Sequence, residues 1–536
     1  MENFEQIIES ILDTIRWEKK IYNNYLSGDA IQAGTKLIKT MEKCSGEQLD
    51  DVLELLRKEI PCEHPYMAVW WYSVLLKAKK DAVVFKEFVR YIREKKNTFS
   101  KNTLDFLFYQ LSYMYDANPS LYDDGTKLEL WKLFLEIVEA FASEVTVPLE
   151  EIPESERDNS LVLAVIIHYI PHGCAPTITA LDRCRILQKK MGKRVLMLNT
   201  AEALNSVGKI PIYETAYGNN LDYFKGAREL DAMTWKDASI PYFQCPPSMP
   251  DVEIINLLLG QVRNMAPHRV ILIGGSSILG NLINRIIPAL TISTGFSDLA
   301  ITGTKYQALG RKLTEEDIVK LNAIGYDKNH VIESTFTFDI KPQKEKVSRA
   351  ELGITEDVFV LTMVSTRLDN EVTNEFLQML EDALNEKMRI VFIGGFSSYE
   401  EKMKLFPDLR RKSVSLGSCE DVLSRLEICD LYVNPRRKGG GSSVVEAMYM
   451  GKPAVSIAYG DVAINAGEEF CVETYGEMAE RILQYYQDKD FYGEMAEKAK
   501  KRAAVLLDTE TAFREIMAEY ERREANGRTA GEDAKI

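Results

Sequence analysis

Beyond about residue 160, the chain alternates short, continuous apolar runs with glycine-bearing turns and amphipathic stretches. Continuous hydrophobicity is typical of strands that are buried on both faces, and such strands occur in parallel sheets covered by helices. The clearest runs are residues 161–167, 195–198, 270–273, 358–364, 390–393, 431–433 and 454–457. The repeat therefore predicts an α/β fold for this part of the chain.

The α/β region is too long for one doubly wound sheet, because single hydrophobic cores stop growing at roughly 250 to 300 residues. A charged, proline-containing segment at residues 339–347 divides the region into two parts of similar length. We therefore predict two Rossmann-like domains, at residues 156–338 and 339–508. Ligands bind beyond the carboxyl ends of parallel strands, so two facing domains would share one cleft.

The first 155 residues have a different pattern and composition. Apolar residues recur there at helical spacing, as in Phe4, Ile7, Ile8 and Ile11. Only four of the 31 glycines precede residue 155, whereas four of the five tryptophans do. These observations predict an all-helical domain at residues 1–155.

Charge and targeting signals narrow the range of functions. The 66 Lys and Arg against 81 Asp and Glu give a net charge of −15, which disfavours a nucleic-acid partner. The eight cysteines form no CxxC pair and no cluster at metal-ligand spacing, so no metal site is predicted. The N-terminus lacks signal-peptide features, and no apolar stretch reaches the roughly 18–20 residues of a membrane span. We expect a cytoplasmic protein with reduced thiols and no transmembrane segment.

A glycine-rich segment at residues 434–443, Asn-Pro-Arg-Arg-Lys-Gly-Gly-Gly-Ser-Ser, lies between the apolar run 431–433 and a predicted helix. Helix N-termini present free backbone N–H groups, and consecutive glycines let the backbone approach a phosphate closely. The basic residues Arg436, Arg437 and Lys438 favour an anion site. The alternative is a tight strand-to-helix turn that binds no ligand.

Glu446 has two interpretations on local sequence alone. Ser443-x-x-Glu446 fits a capping box, in which the carboxylate returns to the backbone N–H of the cap residue. In the other interpretation the carboxylate accepts hydrogen bonds from a ligand. The wider sequence around Glu446 favours the ligand.

The segment continues as Glu446-Ala-Met-Tyr-Met-Gly451-Lys-Pro-Ala-Val, which resembles the donor-binding motif of family 4-like GT-B glycosyltransferases. Four further segments upstream of this motif match the superfamily in the same order, at residues 348–354, 364–370, 390–395 and 417–423. The resemblance implies an α/β fold of the GT-B type, with two Rossmann-like domains facing a cleft, here preceded by the all-α domain. It also implies that residues 509–536 contain a helix crossing back to the first Rossmann-like domain, followed by a flexible tail.

The same resemblance implies roles for the donor motif. Glu446 would accept hydrogen bonds from the ribose hydroxyls of a nucleotide sugar, and the backbone amides of Gly440, Gly441, Ser442 and Ser443 would hold its diphosphate. No cofactor is implied besides this substrate.

Arg367 follows the first strand of the second domain, where the superfamily has an arginine that pairs with the diphosphate. A guanidinium fork suits two phosphate oxygens, although a solvent-facing loop arginine is the alternative. Two positions depart from the pattern. The lysine that usually follows this arginine is absent from residues 370–374, and Lys438 occupies the position where many retaining members have a second acid. Lys438 is therefore the candidate for the missing phosphate cation, and the stereochemistry of transfer stays open.

His172 lies in a strand, loop and helix sequence that resembles the start of GT-B acceptor domains. Because histidine titrates near neutral pH, His172 is the candidate general base, and a loop histidine bonded to backbone is the alternative. The Gly-Ser segment 274–277 either lines the same cleft or forms an ordinary strand-to-helix turn.

The predicted function is that of a hexosyltransferase that moves a sugar from a nucleoside diphosphate sugar, expected to be a UDP-sugar, to a protein or glycan acceptor. The helical domain would bind this acceptor or a partner subunit, or mediate homo-oligomer formation. Two alternatives remain: a non-catalytic GT-B-like subunit that scaffolds a partner glycosyltransferase, and a nucleotide-sugar epimerase on the same fold.

Overall fold

The computed structural model describes residues 28–42, 44, 46–58, 65–167, 175–204, 212–213, 226–294 and 298–533. Within these ranges a group of helices precedes two sheets, and helices flank both sheets. The prediction of an α/β fold with two Rossmann-like domains behind a helical region is confirmed. Among the described helices, none is both long and apolar enough to cross a bilayer.

The described part of the chain has six α-helices before the first strand. They are α1 (Gly28–Met41), α2 (Gly46–Lys58), α3 (Pro65–Ala78), α4 (Ala82–Glu94), α5 (Lys101–Ala117) and α6 (Asp124–Ala142). Helix α3 is apolar on all sides and buried along most of its length, as expected for a central helix. Its Trp70 and Trp71 rings stack with centroids 5.3 Å apart, and Trp71 Nε1 donates a hydrogen bond to Leu56 O of α2 at 2.8 Å. Trp70 and Trp71 are thus part of the helical core.

The first sheet has eight strands in the order β3-β4-β2-β1-β5-β6-β7-β8. The strands are β1 (Asp158–Ile166), β2 (Arg194–Asn199), β3 (Ala232–Trp235), β4 (Ala238–Gln244), β5 (Pro267–Ile273), β6 (Ala289–Ile292), β7 (Tyr306–Leu309) and β8 (Val331–Glu333). Its helices are α7 (Ala175–Lys189), α8 (Val252–Met265), α9 (Ile278–Ile286) and α10 (Glu315–Ala323). All neighbouring strands are parallel except β3 and β4 at one edge. At the centre, Val162 of β1 lies opposite Val195 on one side and Arg269 on the other.

The second sheet has six parallel strands in the order β11-β10-β9-β12-β13-β14. The strands are β9 (Phe359–Val364), β10 (Met388–Ile393), β11 (Ser413–Ser415), β12 (Leu431–Asn434), β13 (Ala454–Ile457) and β14 (Cys471–Val472). The helices are α11 (Leu368–Glu371), α12 (Asn374–Ala383), α13 (Tyr399–Met403), α14 (Pro407–Arg411), α15 (Val422–Glu427), α16 (Gly441–Tyr449), α17 (Gly460–Ala466), α18 (Tyr475–Gln487) and α19 (Lys489–Leu506). The last helix of the chain is α20 (Thr509–Asp533).

Alternate side chains of β1 reach two different cores. Val162, Ala164 and Ile166 pack in a cluster with α7, whereas Leu163 and Val165 belong to a cluster formed by α8, α9 and the N-terminal helices. Helices therefore cover both faces of the first sheet, and the helical domain extends the core on one of them. This double coverage explains why the predicted run is apolar at consecutive positions.

Polar contacts also tie the helical domain to the first sheet. Trp131 Nε1 of α6 donates a hydrogen bond to Thr302 O at 2.7 Å. The hydroxyl of Tyr109 in α5 donates to Ser276 O, in the turn after β5. Because this turn lies at the carboxyl end of its strand, α5 reaches the edge of the sheet where ligands bind.

Helix α20 follows the second sheet and packs on the first. The chain passes between the two sheets at the predicted boundary near residue 338 and again at the start of α20. The two passages are adjacent, since Phe338 N donates to Leu506 O at 2.9 Å. Tyr520 of α20 is buried and its hydroxyl donates to Pro288 O, beside β6. Helix α20 thus extends from the second sheet to the first.

Glu524 is the buried anchor of α20. Its carboxylate accepts hydrogen bonds from Lys305 Nζ at 2.7 Å and Tyr306 OH at 2.9 Å, and the guanidinium of Arg157 lies 3.8 Å away. Glu524→Ala removes the charge that pairs with these groups, so we expect the free energy of unfolding to fall by about 3 kcal/mol in urea denaturation. Glu515→Ala, at an exposed position of the same helix, should change it by less than about 0.5 kcal/mol. Equal effects of the two substitutions would contradict the anchoring role.

Candidate functional site

The glycine-rich segment connects β12 to α16 at the carboxyl end of the second sheet. Gly440 is the N-cap residue of α16, and its φ of +96° is in the left-handed region. A side chain there would also place a Cβ atom 2.6 Å from Arg437 Cζ. Because the cap residue has no side chain, the first backbone N–H groups of α16 have no side-chain cap. This helix end can therefore donate hydrogen bonds to an anion.

The capping-box interpretation of Glu446 is wrong. Ser443 is the third residue of α16 rather than its cap, and its hydroxyl donates to Gly440 O at 2.7 Å. The same hydroxyl lies 2.6 Å from Tyr432 OH. The Ser443 hydroxyl therefore links the backbone of the glycine loop to β12. Glu446 lies about one turn further along the helix.

Arg437 is the buried centre of the loop, with 1% of its side chain exposed. Its guanidinium donates to Glu371 Oε2 at 2.7 Å, to Asn434 Oδ1 at 2.5 Å and to Tyr432 OH at 2.7 Å. This residue has a structural role, because its donors are used within the protein. Of the three basic residues in the motif, it is the one least accessible to a ligand.

Glu371 joins Arg437 to Arg367. Its Oε1 accepts hydrogen bonds from Arg367 Nη2 at 2.9 Å and Arg367 Nε at 3.1 Å, and its Oε2 accepts one from Ser365 Oγ at 2.5 Å. Burial alone would raise the pKa of Glu371, but Arg437 and Arg367 outweigh it and hold the pKa below its ordinary value. One carboxylate between two guanidiniums leaves a net charge of about +1 in this cluster.

Arg367 lies directly against the glycine loop. A Cβ atom on Gly439 would come within 2.9 Å of Arg367 Nη2, and 41% of the Arg367 side chain is exposed. Glu371 holds the Arg367 side chain beside the loop, although part of that side chain faces solvent. Its exposed part faces a cavity that Gly439 and Gly440 also line.

This cavity has a volume of about 390 Å³ and lies where three parts of the chain meet. The helical domain, the first sheet and the glycine loop each contribute to its wall. Its lining includes Ser112, Tyr115, Asp116, Lys127, Leu130, Pro176, Gly274, Ser276, Ser293, Thr294, Asp298, Arg367, Lys438, Gly439, Gly440 and Asp461. The Gly-Ser turn at 274–277 thus contributes Gly274 and Ser276 to the cleft.

Lys438 lines the cavity but is already paired. Its Nζ lies 2.8 Å from Asp116 Oδ1 and 3.7 Å from Asp298 Oδ2. Burial would lower the pKa of Lys438, yet the two carboxylates raise it well above its ordinary value. Burial would likewise raise the pKa of Asp298, but Lys127 and Lys438 lower it to about 2. Lys438 is therefore charged, and a phosphate would have to share it with these acids.

Glu446 lies outside that cavity, on the continuation of α16. Its carboxylate forms no hydrogen bond or ion pair with any residue that the structure describes. Burial raises the pKa of Glu446 to about 7, although Lys341 acts in the opposite direction. A partly buried carboxylate without a protein partner has unused hydrogen-bond acceptors that a ligand can occupy.

His172 lies outside the described residues, as does all of 168–174. The described residues contain no group of three or more His, Cys, Asp or Glu side chains arranged to hold a metal ion. Glu371, Asp116 and Asp298 were not anticipated from the sequence. Only Glu371 had a signal, its spacing of four residues from Arg367 on one helix face.

Residues 344–502 match a family model described as glycosyl transferases group 1. All the sequence-predicted donor residues, from Arg367 to Glu446, fall within this matched segment. No curated protein matches the chain significantly in sequence.

Solved structures agree with the GT-B resemblance. A mutant of the O-GlcNAc transferase from Thermobaculum terrenum is similar over 97% of this chain and 97% of its own, at 12% identity and a TM-score of 0.53. Sucrose-phosphate synthase from Thermosynechococcus elongatus is similar over 68% of this chain and 100% of its own, at 12% identity and a TM-score of 0.50. At this identity the likeness concerns the fold, and the first of the two extends over the helical region as well.

The raised pKa of Glu446 predicts a pH-dependent stability. A carboxyl whose pKa rises from 4.5 to about 7 on folding favours the protonated native state, so its unfavourable effect develops as pH rises through this range. Glu446→Gln should therefore stabilise the protein by about 1–3 kcal/mol at pH 8 and have a much smaller effect at pH 4.5, in urea denaturation at both pH values. Glu420→Gln, at an exposed position of the same domain, should show no such pH difference. An equal response of the two variants would contradict the burial of an unpaired carboxyl.

Proposed function

We propose that the protein is a hexosyltransferase that uses a nucleoside diphosphate sugar, with a UDP-sugar as the expected donor. The observation that supports this most directly is the pair of charged groups beside the N-terminus of α16, which has no side-chain cap. A cluster of net charge about +1 at Arg367 lies on one side of it, and the unpartnered carboxylate of Glu446 lies one turn along the helix. A nucleoside diphosphate combines the same features, an anionic diphosphate next to ribose hydroxyls.

The diphosphate would bind at the start of α16. The backbone N–H groups of Gly440, Gly441 and Ser442 would donate to its oxygens, aided by the positive end of the helix dipole. The N–H group of Ser443 already donates to Gly440 O at 3.1 Å and would have to be shared. Arg367 would add a charged donor from the opposite side. Because glycosyl transfer releases a nucleoside diphosphate, the same groups would stabilise the negative charge that develops on the leaving group.

The ribose would bind on the Glu446 side of the helix. An ionised carboxylate accepts two hydroxyl hydrogen bonds, and hydrogen bonds to charged groups contribute about 1.5–3 kcal/mol. Ligand hydroxyls would favour the ionised form, so donor binding would lower the pKa of Glu446 towards its ordinary value. Donor binding would therefore explain why the chain has a carboxyl at position 446 whose ionised form destabilises the free protein.

The sugar and the acceptor would meet in the 390 Å³ cavity on the other side of the loop. Its walls carry hydroxyl groups such as those of Ser276 and Thr294, which can hydrogen-bond to a glycan or a peptide. We propose His172 as the general base for an acceptor hydroxyl, since Pro176, four residues further on, lines this cavity. A protein or glycan acceptor is the class to test first.

We propose a cytoplasmic location for this activity. Six of the cysteines lie in the described part of the chain and all six are free thiols. Free thiols persist in the reducing environment of the cytoplasm.

Nucleotide binding tests the donor site. The melting temperature of the wild-type protein should rise with UDP, and comparison with GDP and ADP should identify the base. Arg367→Ala and Glu446→Ala should each weaken UDP binding by about 10- to 100-fold, because each removes charge-assisted hydrogen bonds of about 1.5–3 kcal/mol. Arg411→Ala and Glu420→Ala, at exposed positions of the same domain, serve as controls and should retain wild-type affinity.

Turnover then separates the classes of function. UDP release from a panel of UDP-sugars, measured with and without cell extract as acceptor, should increase when acceptor is added. Interconversion of UDP-sugars without release would indicate an epimerase. A protein whose melting temperature responds to none of the three nucleotides would contradict the proposed function and favour a non-catalytic subunit.

A further inference from the structure

Lys438 of the glycine loop contacts the helical domain. Lys438 projects from the loop, with its Nζ 2.8 Å from Asp116 Oδ1 and 4.9 and 5.2 Å from the ring centroids of Tyr115 and Tyr122. All three partners belong to α5 or to the turn that follows it. Only 19% of the Lys438 side chain is exposed, so this contact confines it.

The aromatic contact continues to the other side of the loop. The rings of Tyr122 and Tyr459 have centroids 6.1 Å apart, and the Arg436 guanidinium lies 4.1 Å from the Tyr459 ring. Tyr459 precedes α17, whose Asp461 N donates to Lys438 O at 2.7 Å. Lys438 is therefore held by its backbone within the glycosyltransferase domain and by its ammonium from the helical domain.

The charges around Lys438 balance locally. Lys127 Nζ lies 2.5 Å from Asp298 Oδ2, so two lysines face Asp116 and Asp298. This cluster is close to neutral, whereas the cluster around Glu371 carries the positive excess. Attraction of a diphosphate would therefore depend mainly on Arg367, and the contact of Lys438 would act chiefly on the conformation of the loop.

Loop conformation matters here because of the glycines. Glycine loses more conformational freedom on ordering than any other residue, so a flexible run of glycines 439–441 would weaken binding. Holding the neighbouring residue in place before the ligand arrives reduces this cost. Lys438 is that neighbour, and it is attached on both sides.

We propose that Asp116, with Tyr115 and Tyr122, is a positioning residue by which the helical domain holds Lys438 and preorganises the glycine loop for a diphosphate. The identity of the ligand rests on the proposed function, whereas the ordering of the loop does not. The helical domain then has a direct role in donor binding, in addition to any role towards an acceptor or partner.

The ligand-dependent test compares UDP with uridine as probes. Asp116 is 66% exposed, so Asp116→Asn should leave the fold intact. We expect this variant to bind UDP about threefold more weakly, the effect of a partly exposed ion pair, with unchanged affinity for uridine. Asp116→Lys, which repels Lys438, should weaken UDP binding further, and Asp116→Glu should restore it. A general structural effect would lower the affinities for both probes together.

Asp50→Asn is the matched control. Asp50 is 60% exposed and pairs with Lys79 within the helical domain, away from the loop. The Asp50→Asn variant should bind UDP with the affinity of the wild type. Tighter UDP binding by Asp116→Asn would show that Asp116 competes with the diphosphate for Lys438 and would overturn the proposal, as would an unchanged affinity.

Hydrogen exchange of the ligand-free protein tests the ordering of the loop without any nucleotide. The amides of residues 438–442 should exchange faster in Asp116→Asn than in the wild type or in Asp50→Asn. If the wild type binds no UDP but Asp116→Asn still exchanges faster, the result would support the positioning role and contradict only the assignment of the donor. Equal exchange in all three proteins would overturn the positioning role.

Discussion

The buried ion pair between Arg437 and Glu371 joins the two loops from which the candidate site is built. Arg437 belongs to the loop after β12, and Glu371 to the short helix after β9. Both side chains are almost completely buried, so loss of either partner would leave an uncompensated charge in the interior. The position of Arg367 depends on this pair, because the same carboxylate holds it. The glycine at position 440 depends on it too, since a side chain there would collide with the Arg437 guanidinium.

Much of the fold was predictable because burial on both faces leaves a distinct pattern. The apolar runs correctly indicated β1, β2, β5, β9, β10, β12 and β13. The strands that escaped prediction are short or lie towards the edges of the sheets, as β6, β8, β11 and β14 show. Strand β4 alternates buried and exposed residues, so its hydrophobicity is not continuous. Continuous hydrophobicity therefore marks the central strands of a sheet and does not mark its edge strands.

The site was predictable only where its residues are contiguous in sequence. The glycine loop and Glu446 lie within one segment, and Arg367 follows a recognisable strand. Local sequence did not reveal which of the three basic residues 436–438 is buried, since that depends on Glu371, which follows the neighbouring strand β9. The acids that hold Lys438 come from α5 and from the segment after β6, more than a hundred residues away. Charge pairing across such distances has no local signature.

The shared core of the helical domain and the first sheet limits how this architecture can be divided or recombined. Leu163 and Val165 of the central strand β1 share one apolar cluster with α8, α9 and the N-terminal helices. An excised α/β portion would expose the apolar side chains of this cluster that the N-terminal helices cover, a surface prone to aggregation. A chimaera that exchanges the helices must therefore also exchange the side chains on that face. The family segment at residues 344–502 likewise shares an apolar cluster with α7 and the first sheet, so the unit that folds is larger than that segment.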